Sequence, residues 1–121
     1  MQSAKYMKFL ALALAPALAQ AQIYGLLKDA PASYFTEADT QLFQEATNRA
    51  LEHGVVNEPV LWENPKTRHR GDVTVLREFE SKQRPCKQLR VRNQAKGLKS
   101  NVRFDVCTID GKWMIVPKSE L

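Results

Sequence analysis

The stretch RPCKQLRVRNQAKGLKSNVRFDVC, Arg84 to Cys107, holds both cysteines of the 121-residue chain. Folded as an antiparallel hairpin with Cys86 opposite Cys107, it sets Leu89 against Phe104 and Val91 against Val102 on one face, and the cysteines fall on the other. A slip of one residue destroys that match, so the apolar pattern and a Cys86–Cys107 disulfide support the same register. Facing residues in such a pair have Cα atoms about 4.5–5.5 Å apart, within disulfide reach. Closing a loop of about 20 residues stabilises by roughly 3 kcal/mol in the chain-entropy view. The same register places Arg90 directly opposite Arg103, with Arg92 and Gln88 nearby. Like charges facing across strands are destabilising, so solvent, Asp105 or an anionic partner must relieve them. Arg90, Arg92 and Arg103 are therefore the candidate binding residues.

Around this hairpin the apolar period is two. Asp72–Glu80, Cys86–Asn93, Asn101–Ile109 and Lys112–Val116 alternate or nearly alternate, the last two joined at Asp110-Gly111, and Val60–Trp62 is a candidate for a short fifth strand. Before the strands the period is helical. In TEADTQLFQEATNRALEHG, Thr36 is placed to cap with Asp39, the residues Ala38, Leu42, Phe43, Ala46, Ala50 and Leu51 make an apolar stripe, and Gly54 stands at the C-cap. Residues 22–35 lack a period and read as an irregular lead-in whose Tyr24, Leu26, Leu27 and Phe35 cover one edge of the core. One amphipathic helix followed by four to five strands implies a single α+β domain over residues 36–121, the helix lying on one face of an antiparallel sheet. Trp62 and Trp113 fit the core better than a ligand platform, Trp113 because it alternates with Ile115.

The first residues carry Lys5 and Lys8, an apolar run from Phe9 to Ala19 and an Ala19-Gln20-Ala21 cleavage site, the pattern of a secretory signal peptide over residues 1–21. That run is half of what spans a bilayer, so no transmembrane span is expected. Met7 is also a plausible initiator. Export implies an oxidising compartment, where an even cysteine count reads as a disulfide and not as a metal or redox site. His53 and His69 stand apart from each other and from the cysteines, so no metal and no cofactor is expected. No spacing of Asp, Glu, His or Ser specifies a catalytic site, and no enzymatic role is expected.

Charge is segregated. Residues 66–103 carry twelve Lys or Arg against three acids, whereas residues 22–65 carry two against seven. A basic sheet surface suits an envelope polymer bearing phosphate or carboxylate, or an acidic protein. Nucleic acid is not expected, because Phe79 is the only Phe, Tyr or Trp between Lys66 and Arg103 and no stacking platform accompanies the charge.

The segments LWENPKTRHRGDVTVLREFESKQRPCKQLRV and DVCTIDGKWMIV resemble the C-terminal domain of the surface-antigen family related to the rickettsial seventeen-kilodalton antigen. The resemblance is carried by Trp62, Asn64, Gly71, Val73, Phe79, Cys86, Cys107, Asp110, Gly111, Trp113 and Ile115, in that order. The chain departs from the pattern at PKTRHR after Asn64, at Lys87 after the first cysteine, and at Val106 and Thr108 around the second. It also has no lipid-accepting cysteine near the cleavage site. The resemblance implies a Gram-negative cell-envelope protein, periplasmic or at the surface, and carries over no catalytic residues. The expected function is an exported envelope structural or interaction protein with a basic strand face. The alternative is a secreted inhibitor of an envelope-degrading enzyme, with NQAKGLKS as the inserted loop.

Overall fold

The computed structural model describes residues 30–121. The expected signal peptide and the lead-in residues Tyr24, Leu26 and Leu27 lie outside the described residues. The end of the lead-in is a 3-10 turn at Pro31–Tyr34, not irregular chain, with Pro31 pre-set for the first position and Ala32 buried. Phe35 follows and packs against the core.

Helix α1 spans Glu37–His53. Thr36 Oγ1 accepts from the Asp39 N–H at 3.1 Å and Asp39 Oδ2 accepts from the Thr36 N–H at 2.8 Å, the expected reciprocal cap. The buried face is Asp39, Phe43, Ala46, Thr47, Ala50 and Leu51. It is turned from the expected stripe: Ala38 is exposed and Leu42 only half-buried. The cause is that the carboxylate of Asp39 and the hydroxyl of Thr47 both find partners and so can be buried. Thr47 Oγ1 donates to the Phe43 carbonyl at 2.9 Å. Gly54 is the C-cap, but its φ of −66° is one any residue adopts. Glycine is needed because a Cβ there would lie 2.5 Å from the Ala50 carbonyl oxygen and 3.0 Å from Val75 Cγ2, where the helix end crosses the sheet.

The sheet is a five-stranded antiparallel meander in the order β1 (Val60–Glu63), β2 (Arg70–Ser81), β3 (Arg84–Ala95), β4 (Leu98–Ile109), β5 (Lys112–Ile115). Cys86 lies opposite Cys107, Leu89 opposite Phe104, Arg90 opposite Arg103 and Val91 opposite Val102, the register inferred from the sequence. The disulfide is formed, with Cα atoms 4.0 Å apart. β2, β3 and β4 run longer than their alternation suggested because two-residue turns join them. Lys82-Gln83, Lys96-Gly97 and Asp110-Gly111 all have positive φ at both positions, the turn whose twist matches that of the strands. NQAKGLKS is thus paired strand on either side of a tight turn, with residues 96–99 exposed at the tip of the hairpin.

Val73, Val75, Leu89, Val91, Phe104 and Val106 form the inner face, packed against Phe43, Ala46, Ala50 and Leu51, with Trp62 buried and Trp113 and Ile115 half-buried beside them. A bulge between Val75 and Arg77 reverses the alternation of β2, so Phe79 falls opposite Cys86 on the outer face. There the cystine, Phe79, Val116 and Leu121 make a second small apolar cluster under the C-terminal residues. Among the described residues no helix is long and apolar enough to cross a membrane.

Candidate functional site

Beyond the cystine cluster the outer face is polar, and its side chains are set in cross-strand rows. One row is Glu63, Arg70, Gln94 and Lys99; the next is Leu61, Asp72, Arg92 and Asn101. Together with the intervening Trp62, Gly71, Asn93 and Ser100 they frame an open cavity of about 700 Å³. Arg92 is locked there: its Nε donates to Asp72 Oδ1 at 3.1 Å and Oδ2 at 3.2 Å, and Nη2 lies 3.0 Å from Oδ2. Arg70 Nε donates to Gln94 Oε1 at 3.4 Å.

The third row is Thr74, Arg90 and Arg103. Arg90 is half-buried, and its Nε is closed off without a hydrogen-bond partner. Thr74 is 1 % exposed and its hydroxyl is likewise unpartnered. Arg103 is exposed, and neither arginine has an ion-pair partner among the described residues. Asp105, the sequence's internal candidate for relieving them, is engaged elsewhere. Its Oδ2 takes the Lys118 ammonium at 2.9 Å, and Oδ1 is buried with no partner. The three candidate arginines thus share one face, but only Arg90 and Arg103 form an uncompensated pair. Asp72 and Thr74 cannot be placed from the sequence alone, because the bulge hides the register of β2 against β3 from simple alternation.

A second polar cluster lies inside. Asp39 is fully buried, and its Oδ1 accepts from Asn64 Nδ2 and Thr67 Oγ1, each at 2.8 Å, while Oδ2 also accepts from His69 Nδ1 at 2.8 Å. Burial pushes the carboxyl up, but the bonds from the Thr36 N–H, His69, Thr67 and Asn64 outweigh it and hold the pKa at about 2. His69 stacks on Phe35, which meets Trp62 edge-on. The loop of residues 64–69 therefore ties the β1–β2 hairpin to the start of α1. His69, read from the sequence as an isolated histidine, is paired with Asp39. With its four acceptor bonds inside the fold, this carboxylate fastens the helix to the hairpin. At the other end of α1, Lys87 Nζ donates to the Leu51 carbonyl at 2.7 Å and lies over the Trp113 ring.

Among the described residues no group of His, Cys, Asp or Glu could hold a metal ion. No protein family, curated protein or solved structure matches the chain.

Proposed function

We propose that this is an exported cell-envelope interaction protein whose outer sheet face binds an anionic partner. The observation that carries the reading is the Arg90–Arg103 pair: the two arginines lie directly opposite each other across β3 and β4, and neither has an ion-pair partner among the described residues. An anion seated between the two would turn the repulsion into a shared contact. Arg70, Arg92 and Lys99 extend the basic surface toward the cavity. The cystine suits an oxidising compartment, and the signal-peptide pattern and the surface-antigen resemblance point to the Gram-negative envelope.

The test is retention of the protein on envelope-derived anionic polymers across a salt series. The Debye length falls from about 30 Å at 0.01 M to about 8 Å at 0.15 M, so binding should weaken steeply. Arg90→Gln with Arg103→Gln should abolish most of the retention while the fold is kept. Equal retention by the double variant at the same salt would return the face to plain solvation.

A further inference from the structure

β4 runs from Leu98 to Ile109, but β5 pairs only with its residues Val106–Ile109. Among the described residues, Leu98–Phe104 has a neighbouring strand on its β3 side and none on the other. The Asp105 carbonyl points to that open side, since it accepts from the Val116 N–H at 2.8 Å. Backbone groups alternate between the two sides of an antiparallel strand, so Lys99, Asn101 and Arg103 also turn their N–H and C=O groups away from β3. All three residues are exposed. Such an edge is a template for another strand, and within Leu98–Phe104 neither a proline nor a bulge blunts it. The charges of Lys99 and Arg103 guard it against a basic strand, and against a second β4 laid antiparallel on it, but favour an acidic one.

We propose that β4 takes an extended acidic peptide as a sixth strand along Lys99–Arg103. Main-chain bonds to Lys99, Asn101 and Arg103 supply the affinity, and side chains two residues apart supply the specificity. On the outer face the added strand sets one residue opposite Arg103, continuing the row of Thr74, Arg90 and Arg103, and another opposite Lys99. A Glu or Asp at each meets a cation that has no ion-pair partner among the described residues. On the inner face its intervening residues lie beside Leu98, which is 44 % exposed, and the half-buried Val102, so they are apolar. The partner is thus a segment of alternating apolar and acidic residues. This rests on the reading of the outer face as anion-binding and names its partner as a polypeptide.

The full chain is titrated at fixed ionic strength with an eight-residue peptide alternating Val and Glu, and with its forms N-methylated at every Glu or at every Val. The parent peptide should bind. A strand turns alternate N–H groups to its neighbour, so one methylated form should bind at least about tenfold more weakly and the other like the parent. Lys99→Glu with Arg103→Glu should reverse the preference, toward the peptide with Lys in place of Glu. In the unmodified protein the Lys99, Asn101 and Arg103 amides should exchange freely and gain protection on adding the parent peptide, a readout independent of whether any variant folds. Protection of those amides before peptide is added means that the edge is already covered, by this chain or, where it grows with protein concentration, by a second copy, and overturns the proposal. If the three peptides bind alike, or none binds while anionic polymers are retained, strand addition is wrong and the anion-binding face stands. If no peptide binds and no anionic polymer is retained, both fall.

Discussion

The Asp39 carboxylate completes the cap of α1 by accepting from the Thr36 N–H and accepts bonds from three side chains of the β1–β2 loop, so one carboxylate ties helix to hairpin. Its pKa is lowered from 3.8 to about 2. A carboxyl depressed on folding contributes stability that is complete above its unfolded value and is lost as pH falls through the folded one. The shift corresponds to about 2 kcal/mol, present near neutrality and lost between about pH 4 and 2. Asp39→Asn should lower stability at neutral pH by about that amount and flatten the acid limb, as denaturant unfolding at stepped pH would record. An acid limb as steep as that of the unmodified protein would assign the loss to other carboxylates. Gln83 is a second telling residue, because it holds a φ of 62° without being glycine. An L residue in the left-handed region costs roughly 1–2 kcal/mol. Gln83→Gly, matching the other two hairpin turns, should raise the melting temperature by about 4–8 °C per kcal/mol recovered. No rise would mean that the turn is relaxed as it stands.

At the scale of elements, the β3–β4 hairpin is held by its cystine and by its inner apolar pairs independently. Replacing Cys86 and Cys107 by Ala should cost roughly 3 kcal/mol while leaving the register in place, because Leu89, Val91, Phe104 and Val106 still specify it. Hydrogen exchange of the β3 and β4 amides measures this; loss of protection along both strands under native conditions would make the disulfide the source of the register. The β1–β2 hairpin depends on Gly71, in one row with Trp62, Asn93 and Ser100. A Cβ there would run into the Arg92 carbonyl and Asn93 Oδ1, and would come within 2.7 Å of Trp62 Nε1. Gly71→Ala should therefore destabilise by about 1–3 kcal/mol through overpacking, seen in the denaturation midpoint. A neutral outcome would show that Asn93 can swing aside.

Across the whole molecule the two faces of the sheet divide the labour. The inner face carries the core and α1, and the outer face carries the cystine cluster at one end and the basic rows at the other. Replacing Arg90 and Arg103 by Gln should leave stability unchanged or raise it by about 0.5 kcal/mol at most, since it removes a repulsion. Unfolding of that variant would instead make the arginines part of the fold. The α+β class, the helix with its cap, the hairpin register, the disulfide and the facing arginines were all legible in the residue order, because each rests on a local period or on one cross-strand pairing. The rotation of α1 was not, since Asp39 could be buried only because Asn64, Thr67 and His69 arrive from a hairpin more than twenty residues away. Nor was the outer face as a site. Which arginine is neutralised and which left bare depends on Asp72, Thr74 and Lys118, brought there by a bulge in β2 and by the return of the C-terminal chain. Periodicity reports what each strand does alone; only the assembled sheet decides which charges become neighbours.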